Sequence, residues 1–226
     1  MADRTPQATR AQPGKHALSR EFIAQHQRAR IIAALAGETV EKGYRAVTVA
    51  DIVRRAGIAR NTFYENFSSK EDCFLAACDY AVKEAKGRVV DAASRVDAWP
   101  QRVGAGLTAF LEYVASEPAL ARTCIVEALS AGPAAVERYE RSIQAFVPLF
   151  QLGREAAPNG EVLPDTLEET IVGGIFWILY QRIIMGQVEQ IRDLLDQLVE
   201  FSLTPYLGAE VAKRVAAEFS ASPAGG

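Results

Sequence analysis

The 226-residue sequence is poor in the residues that do chemistry. It has two histidines, His16 and His26, both near the N-terminus, and three cysteines, Cys73, Cys78 and Cys124. No nucleophile–base pair and no phosphate-cradling loop is recognisable, because Gly104 and Gly106 lie inside a helical pattern. A small helical enzyme is therefore the weakest reading of the chain. The cysteines show no metal-ligand spacing, so neither metal nor cofactor is expected. Cys73 and Cys78 stand about 140° apart around one helix, poor geometry for a disulfide between them. The longest apolar run, Ile171 to Leu179, falls well short of the roughly 18–20 residues that span a bilayer. The N-terminus lacks the apolar stretch of a secretory signal, so a cytoplasmic chain without a membrane partner is expected. No stretch shows sustained strand alternation either, which points to an all-α fold of roughly nine or ten helices.

What the chain does have is a core-forming composition and a divided charge. Hydrophobic residues make up 49% and charged residues 23% of the sequence, the mark of an ordinary globular protein. Residues 1–70 carry 12 Lys and Arg against 6 Asp and Glu, while residues 71–226 carry 13 against 22. A basic head on an acidic body suits binding of a polyanion through the head. Residues 1–20, with Pro6, Pro13, Gly14 and the basic Arg4, Arg10, Lys15 and Arg20, have no apolar periodicity. They read as a flexible basic arm. From about Arg20 the pattern turns helical, with Ala29, Ile32, Ala33, Ala36 and Val40 forming an apolar stripe before Gly43.

The next 25 residues are dense with helix boundaries. Thr48 and Asp51 form a relative of the capping box at the start of a short helix, Val49–Ala56. Gly57 ends that helix, where a left-handed residue favours glycine. A second short helix, about Arg60–Asn66, places Phe63 and Phe67 on one side. Ser68 and Glu71 then cap a long helix reaching about Arg95. Two short helices about a glycine turn, braced by an amphipathic helix, meet the geometry of a DNA-reading motif. Small residues at Ala50, Ala56 and Gly57 suit the helix contact, and Arg60, Asn61, Thr62, Tyr64, Glu65 and Asn66 give the second helix a polar outer face.

The run TVADIVRRAGIARNTFYENFSSKED, with RIIAALAGETVEKGYRAVTV before it, resembles the N-terminal motif of the tetracycline-repressor (TetR) family of bacterial regulators. The specific match covers about Arg30–Asp72. By that resemblance Thr48 would cap the crossing helix and offer its hydroxyl to a phosphate. Arg60 would read a base edge beside Asn61, and Thr62 would meet a thymine methyl or a phosphate. Tyr64 and Lys70 would be phosphate contacts. Ala59 departs from the family's serine, so a side-chain cap is absent there. Glu65 either accepts from cytosine or turns aside toward Arg60 or Lys70. Arg54 and Arg55 are either solvated charges or phosphate contacts.

Beyond Ser69 the chain reads as helix after helix, giving three expected units: a basic arm at 1–20, a three-helix helix-turn-helix domain at 21–68, and a helical effector-binding and dimerisation domain at 69–226. Asp165–Met185 and about Val188–Leu203 are the most apolar helices. Two copies of each form a four-helix bundle in the dimer that the resemblance implies, although core packing within one subunit also accounts for them. Phe110, Tyr113, Cys124, Glu127, Phe146, Phe150, Trp177 and Tyr180 are the candidate lining of an effector pocket. The expected function is a ligand-responsive DNA-binding regulator: a homodimeric repressor released from a palindromic operator on double-stranded DNA by a small, mostly apolar molecule. An activator of the same fold and a redox sensor using Cys73, Cys78 or Cys124 remain open beside it.

Overall fold

In the computed structural model of the protein, which describes residues 15–158 and 160–220, all regular elements are helical. Helix α1 runs Lys15–Lys42, so the last six residues of the expected arm are helical. Arg4 and Arg10 lie outside the described residues. The buried face of α1 is Ile31, Ile32, Leu35, Ala36 and Thr39, whereas Val40 is exposed, as is Ala33. Turning Ile31 and Leu35 inward removes more apolar area from water than the alanine-rich stripe read from the sequence.

A 3₁₀ turn, Tyr44–Ala46, leads to α2 (Val49–Ala56) and α3 (Arg60–Asn66). Gly57 between them has φ 62°, and its N–H bonds back to the carbonyls of Val53 and Arg54. Ala50 is exposed rather than wedged between helices. Helix α4 (Lys70–Ala93) is capped by Ser69, whose hydroxyl accepts from the Asp72 N–H at 3.0 Å. The cap thus lies one residue beyond the expected Ser68–Glu71 box. Ser68 donates its N–H to the Asp72 carboxylate at 2.8 Å.

Helix α5 (Trp99–Ser116) returns along α4. A single helical segment then changes pitch twice. It is α-helical at α6 (Pro118–Ala121), a π turn over Arg122–Val126, and 3₁₀ over Glu127–Ser130. Helices α7 (Pro133–Gln144), α8 (Val147–Gln151) and α9 (Gly153–Ala156) follow. Then come α10 (Leu167–Ile184), a 3₁₀ stretch Val188–Leu194, α11 (Leu195–Leu207) and α12 (Ala209–Ser220). Pro205 falls inside the last turn of α11, which ends at Gly208. Arg154 clamps Glu168 through two hydrogen bonds, at 2.8 and 2.9 Å, and Tyr206 donates to the same carboxylate at 3.0 Å, tying α9, α10 and α11 together.

Two apolar clusters organise these helices. The first joins Ile31, Leu35, Ile52, Phe63 and Phe67 to Cys73, Phe74 and Cys78 of α4, and also takes in Leu120, Ala128 and Ala135. The head core therefore runs through residue 68 into α4 and touches the segment after α6. The second cluster is built from α4, α5, α8, α10, α11 and α12.

Candidate nucleic-acid interface and effector cavity

The geometry of the head begins with Thr48. Its hydroxyl accepts from the Asp51 N–H at 3.2 Å and donates to the Asp51 carboxylate at 2.6 Å, while its own N–H donates to that carboxylate at 2.9 Å. Asp51 also receives Lys42 and Arg54, each at 2.9 Å. The Thr48 hydrogen bonds, with help from Lys42, hold the Asp51 carboxyl well below the usual carboxylate range. Glu38 is buried beside this network, paired with Lys42 at 2.9 Å and with Arg55 at 3.4 Å. Arg55 reaches Glu41 at 2.6 Å as well. Arg54 and Arg55 are therefore ion-paired within the head.

Helix α3 carries its apolar side inward, with Phe63 fully buried and Phe67 closing its end. Arg60, Asn61, Tyr64 and Glu65 are exposed, and Thr62 is half-buried. Ala59 makes no side-chain cap, as its methyl requires. The Arg60 guanidinium lies 5.8 Å from the centre of the Tyr64 ring and 3.5 Å from its hydroxyl. The two side chains thus occupy one patch of the outer face.

Lys70, expected at a phosphate, turns to the backbone of the head itself. Its ammonium donates to the carbonyls of Tyr44, Arg45 and Val47 at 3.0, 3.4 and 2.8 Å, and sits 4.4 Å from the Tyr44 ring centre. Burial lowers its pKa. All three donors face the turn before α2, so Lys70 positions that helix from within. Two further struts escaped sequence analysis. Arg28 donates to the Asn66 carbonyl at 2.9 Å and stacks 4.2 Å from the Phe67 ring centre, and Arg30 donates to the Ala56 carbonyl at 2.6 Å. Their partners lie 38 and 26 residues away, a separation no local pattern encodes.

In the body, Phe110, Tyr113, Cys124 and Phe146 do converge. With Ala81, Ala85, Glu117 and Phe176 they line a chamber of about 40 Å³, room for one water-sized group. A second chamber of about 20 Å³, bounded by Phe150, Gly106 and Val89, shares Phe110, Phe146 and Phe176 with it. The Tyr113 hydroxyl is buried and has no hydrogen-bond partner. Burial raises its pKa. The Cys124 thiol meets Cys78; that hydrogen bond, with burial, drives its pKa well up. Burial pushes Cys73 up to about 12.

Three expected pocket residues lie elsewhere. Trp177 is 55% exposed on the outer side of α10 and stacks on the half-buried Tyr180, rings 5.4 Å apart and 8° from parallel. That helix has apolar residues all round, so periodicity could not separate its core face from its outer one. Glu127 faces the head, where its carboxylate accepts from the Tyr44 N–H at 3.0 Å. Beside it, Arg45 donates to the Ser130 carbonyl at 3.3 Å through two nitrogens. The π and 3₁₀ segment thus touches the chamber with Cys124 and the head with Glu127.

Residues 31–77, the end of α1, all of α2 and α3 and the first turns of α4, match the family model described as bacterial regulatory proteins, tetR family. The head is a TetR-type helix-turn-helix, the DNA-binding element of bacterial regulators. The chain is 29% identical over 146 residues to the HTH-type transcriptional regulator EthR of Mycolicibacterium smegmatis, a span covering 64% of this chain and 67% of that protein. Much of the fold recurs in the fatty acid degradation regulator FadR of Bacillus halodurans, with TM-score 0.72, 16% identity, and 78% of this chain and 94% of that chain covered. FadR of Bacillus subtilis, solved in complex with stearoyl-CoA, gives TM-score 0.68 at 16% identity over 78% and 98% of the two chains. At these identities the likeness is one of fold. No described helix is long and apolar enough to cross a membrane.

Proposed function

We propose that this chain is a homodimeric repressor of the TetR family that holds a palindromic operator through α2 and α3 and releases it when a mostly apolar small molecule enters the body. The observation that carries the proposal is the outer face of α3, where Arg60, Asn61 and Tyr64 are exposed while Ile52, Phe63 and Phe67 are buried behind them. Arg60 suits the O6 and N7 edge of guanine, Asn61 an adenine, and Tyr64 a phosphate. Thr62 reaches a base or phosphate only at its exposed side. The start of α2 at Thr48 offers amides to a phosphate, though its hydroxyl is already engaged with Asp51. Functional division into a head at 21–68 and a receptor body at 69–226 belongs to the same proposal, with the shared core as the joint.

Dimerisation rests on α10 and α11. Trp177, Ile184 and Phe201 are 55%, 48% and 46% exposed, and Gly173 has open space beside its Cα. A stripe of this kind suits a second copy of itself across a two-fold axis.

The switch follows from the size of the chamber. Anything larger than a water must push its walls apart, and one wall is the π turn. Moving that turn shifts Glu127 and Ser130, the two groups that grip Tyr44 and Arg45. The ligand thereby has a different affinity for the two head positions, which is the requirement for a population shift. The stearoyl-CoA bound to the Bacillus subtilis FadR supports an aliphatic ligand here. Redox sensing draws less support, since Cys73 and Cys124 are held as thiols rather than reactive thiolates. Selecting bound fragments from random DNA with the purified protein tests the proposal. Enrichment of one palindrome is expected, and recovery of no enriched sequence would overturn it.

A further inference from the structure

The second chamber is walled on one side by α8. It shares Val89, Phe146 and Leu149 with an open groove of about 430 Å³ between the C-terminal half of α4 and α8. Lys86 and Arg102 are the charged residues in the groove lining, and no acid is among them, although residues 71–226 carry 22 acidic against 13 basic side chains. At the other end of the series the one charged lining residue is Glu117.

One face of α5 runs beneath all three spaces. Arg102 borders the groove, Gly106 and Phe110 the middle chamber, and Tyr113 the inner one. Positions 102 and 113 are three helical turns apart, within about 20° of each other around the axis and about 16 Å along it. Gly106 leaves room at the middle chamber: a Cβ there would stand 3.2 Å from both Leu149 and Val89. The inner end of this line is the Tyr113 hydroxyl, on a residue only 5% exposed and without a partner. A buried hydroxyl left unpaired costs free energy that a ligand oxygen would recover.

We infer that the three spaces open into one channel when their walls part, and that it takes a long-chain aliphatic acid that also carries an oxygen near its far end, an ω-hydroxy or oxo acid. The carboxylate sits in the groove between Lys86 and Arg102. The chain passes Gly106 and Phe110, and the distal oxygen accepts from Tyr113. The charges set the direction, because an anion at the inner end would face Glu117. An extended chain advances about 1.2 Å per bond, so the 16 Å span asks for about 13 bonds between the two polar ends. The inference rests on the body being the effector receptor proposed above.

Calorimetric titration of the full chain with ω-hydroxytetradecanoate, tetradecanoate and tetradecanol tests it, with release of selected operator DNA as a second readout. The hydroxy acid is expected to bind about tenfold tighter than tetradecanoate, and tetradecanoate about tenfold tighter than tetradecanol, each the worth of one hydrogen bond to a charged or buried partner. Tyr113→Phe should erase the first difference alone, and Lys86→Gln with Arg102→Gln the second alone. Tyr113→Phe removes only an unpaired hydroxyl, so loss of fold does not confuse its result. The inference is overturned if either preference is missing or survives its variant. If tetradecanol binds and releases DNA while both preferences are missing, the receptor stands and only this inference falls. Binding of none of the three sinks the aliphatic-ligand proposal with it.

Discussion

The Glu127 carboxylate accepts a hydrogen bond from the Tyr44 backbone N–H at 3.0 Å, joining the end of the π segment to the turn that precedes α2. With the contact of Arg45 to Ser130, it links the chamber wall to the turn before α2. Glu127→Ala is expected to leave the DNA-bound form intact while weakening communication. The ratio of operator affinities without and with an effector should fall about five- to tenfold, the scale of a typical coupling free energy. Fluorescence anisotropy with labelled operator measures it, and an unchanged ratio would show that the coupling travels elsewhere.

Lys70 separates two kinds of head residue. If its role is to hold the carbonyls of Tyr44, Arg45 and Val47, Lys70→Ala should destabilise the protein by about 1–3 kcal/mol in urea unfolding. Operator affinity should drop at every salt concentration with the salt dependence kept. A direct phosphate contact would instead lower the slope of log K against log salt by about one unit.

Arg60 and Tyr64 share a patch, and the proposal gives them different tasks. Arg60→Ala is expected to relax base preference at one position in each half-site, at about 1–3 kcal/mol of discrimination. Tyr64→Phe should weaken all sequences alike. Selection experiments on the two variants read both effects, and an unaltered base preference in Arg60→Ala would remove it from the readers.

The Asp51 and Glu38 carboxyls both titrate below their ordinary values, Asp51 through the Thr48 and Lys42 hydrogen bonds and Glu38 through Lys42. The folded state therefore binds their protons more weakly than the unfolded chain does. The stability they contribute is complete above the ordinary carboxylate range and is lost as pH falls through the lower folded values. Asp51→Asn should lower the melting temperature at neutral pH, and the gap to the parent protein should close as the pH is taken down from about 5. A gap that widened in acid would have the sign wrong.

The outward face of α10 and α11 makes the last prediction. Trp177→Glu should convert dimer to monomer in sedimentation, because a charge would be buried at the centre of an apolar interface. A monomeric parent protein would dispose of the interface altogether.

Local signals carried α2 and α3 completely. Thr48, Gly57 and the Phe63–Phe67 pair act on neighbours within four residues, so periodicity and capping chemistry were enough to place both helices at the bounds observed. The cap of α4 was legible only to within one residue, since Ser68 and Ser69 both bond Asp72. Four of the eight proposed cavity residues, Phe110, Tyr113, Cys124 and Phe146, line the inner chamber, and Phe150 the next. Trp177 and Tyr180 were misplaced because α10 is apolar on nearly every side.

By itself the sequence determined the helical class, the helix-turn-helix and its outward polar face, and the scarcity of groups for catalysis. Each depends on side chains one or two turns apart, where backbone geometry fixes who meets whom. Only the tertiary structure decided that Lys70 faces inward, that Glu127 grips the head, and that Arg102 and Tyr113 border two spaces along one face of α5. Those relationships join segments up to 83 residues apart or spaces between several helices, and packing alone selects them.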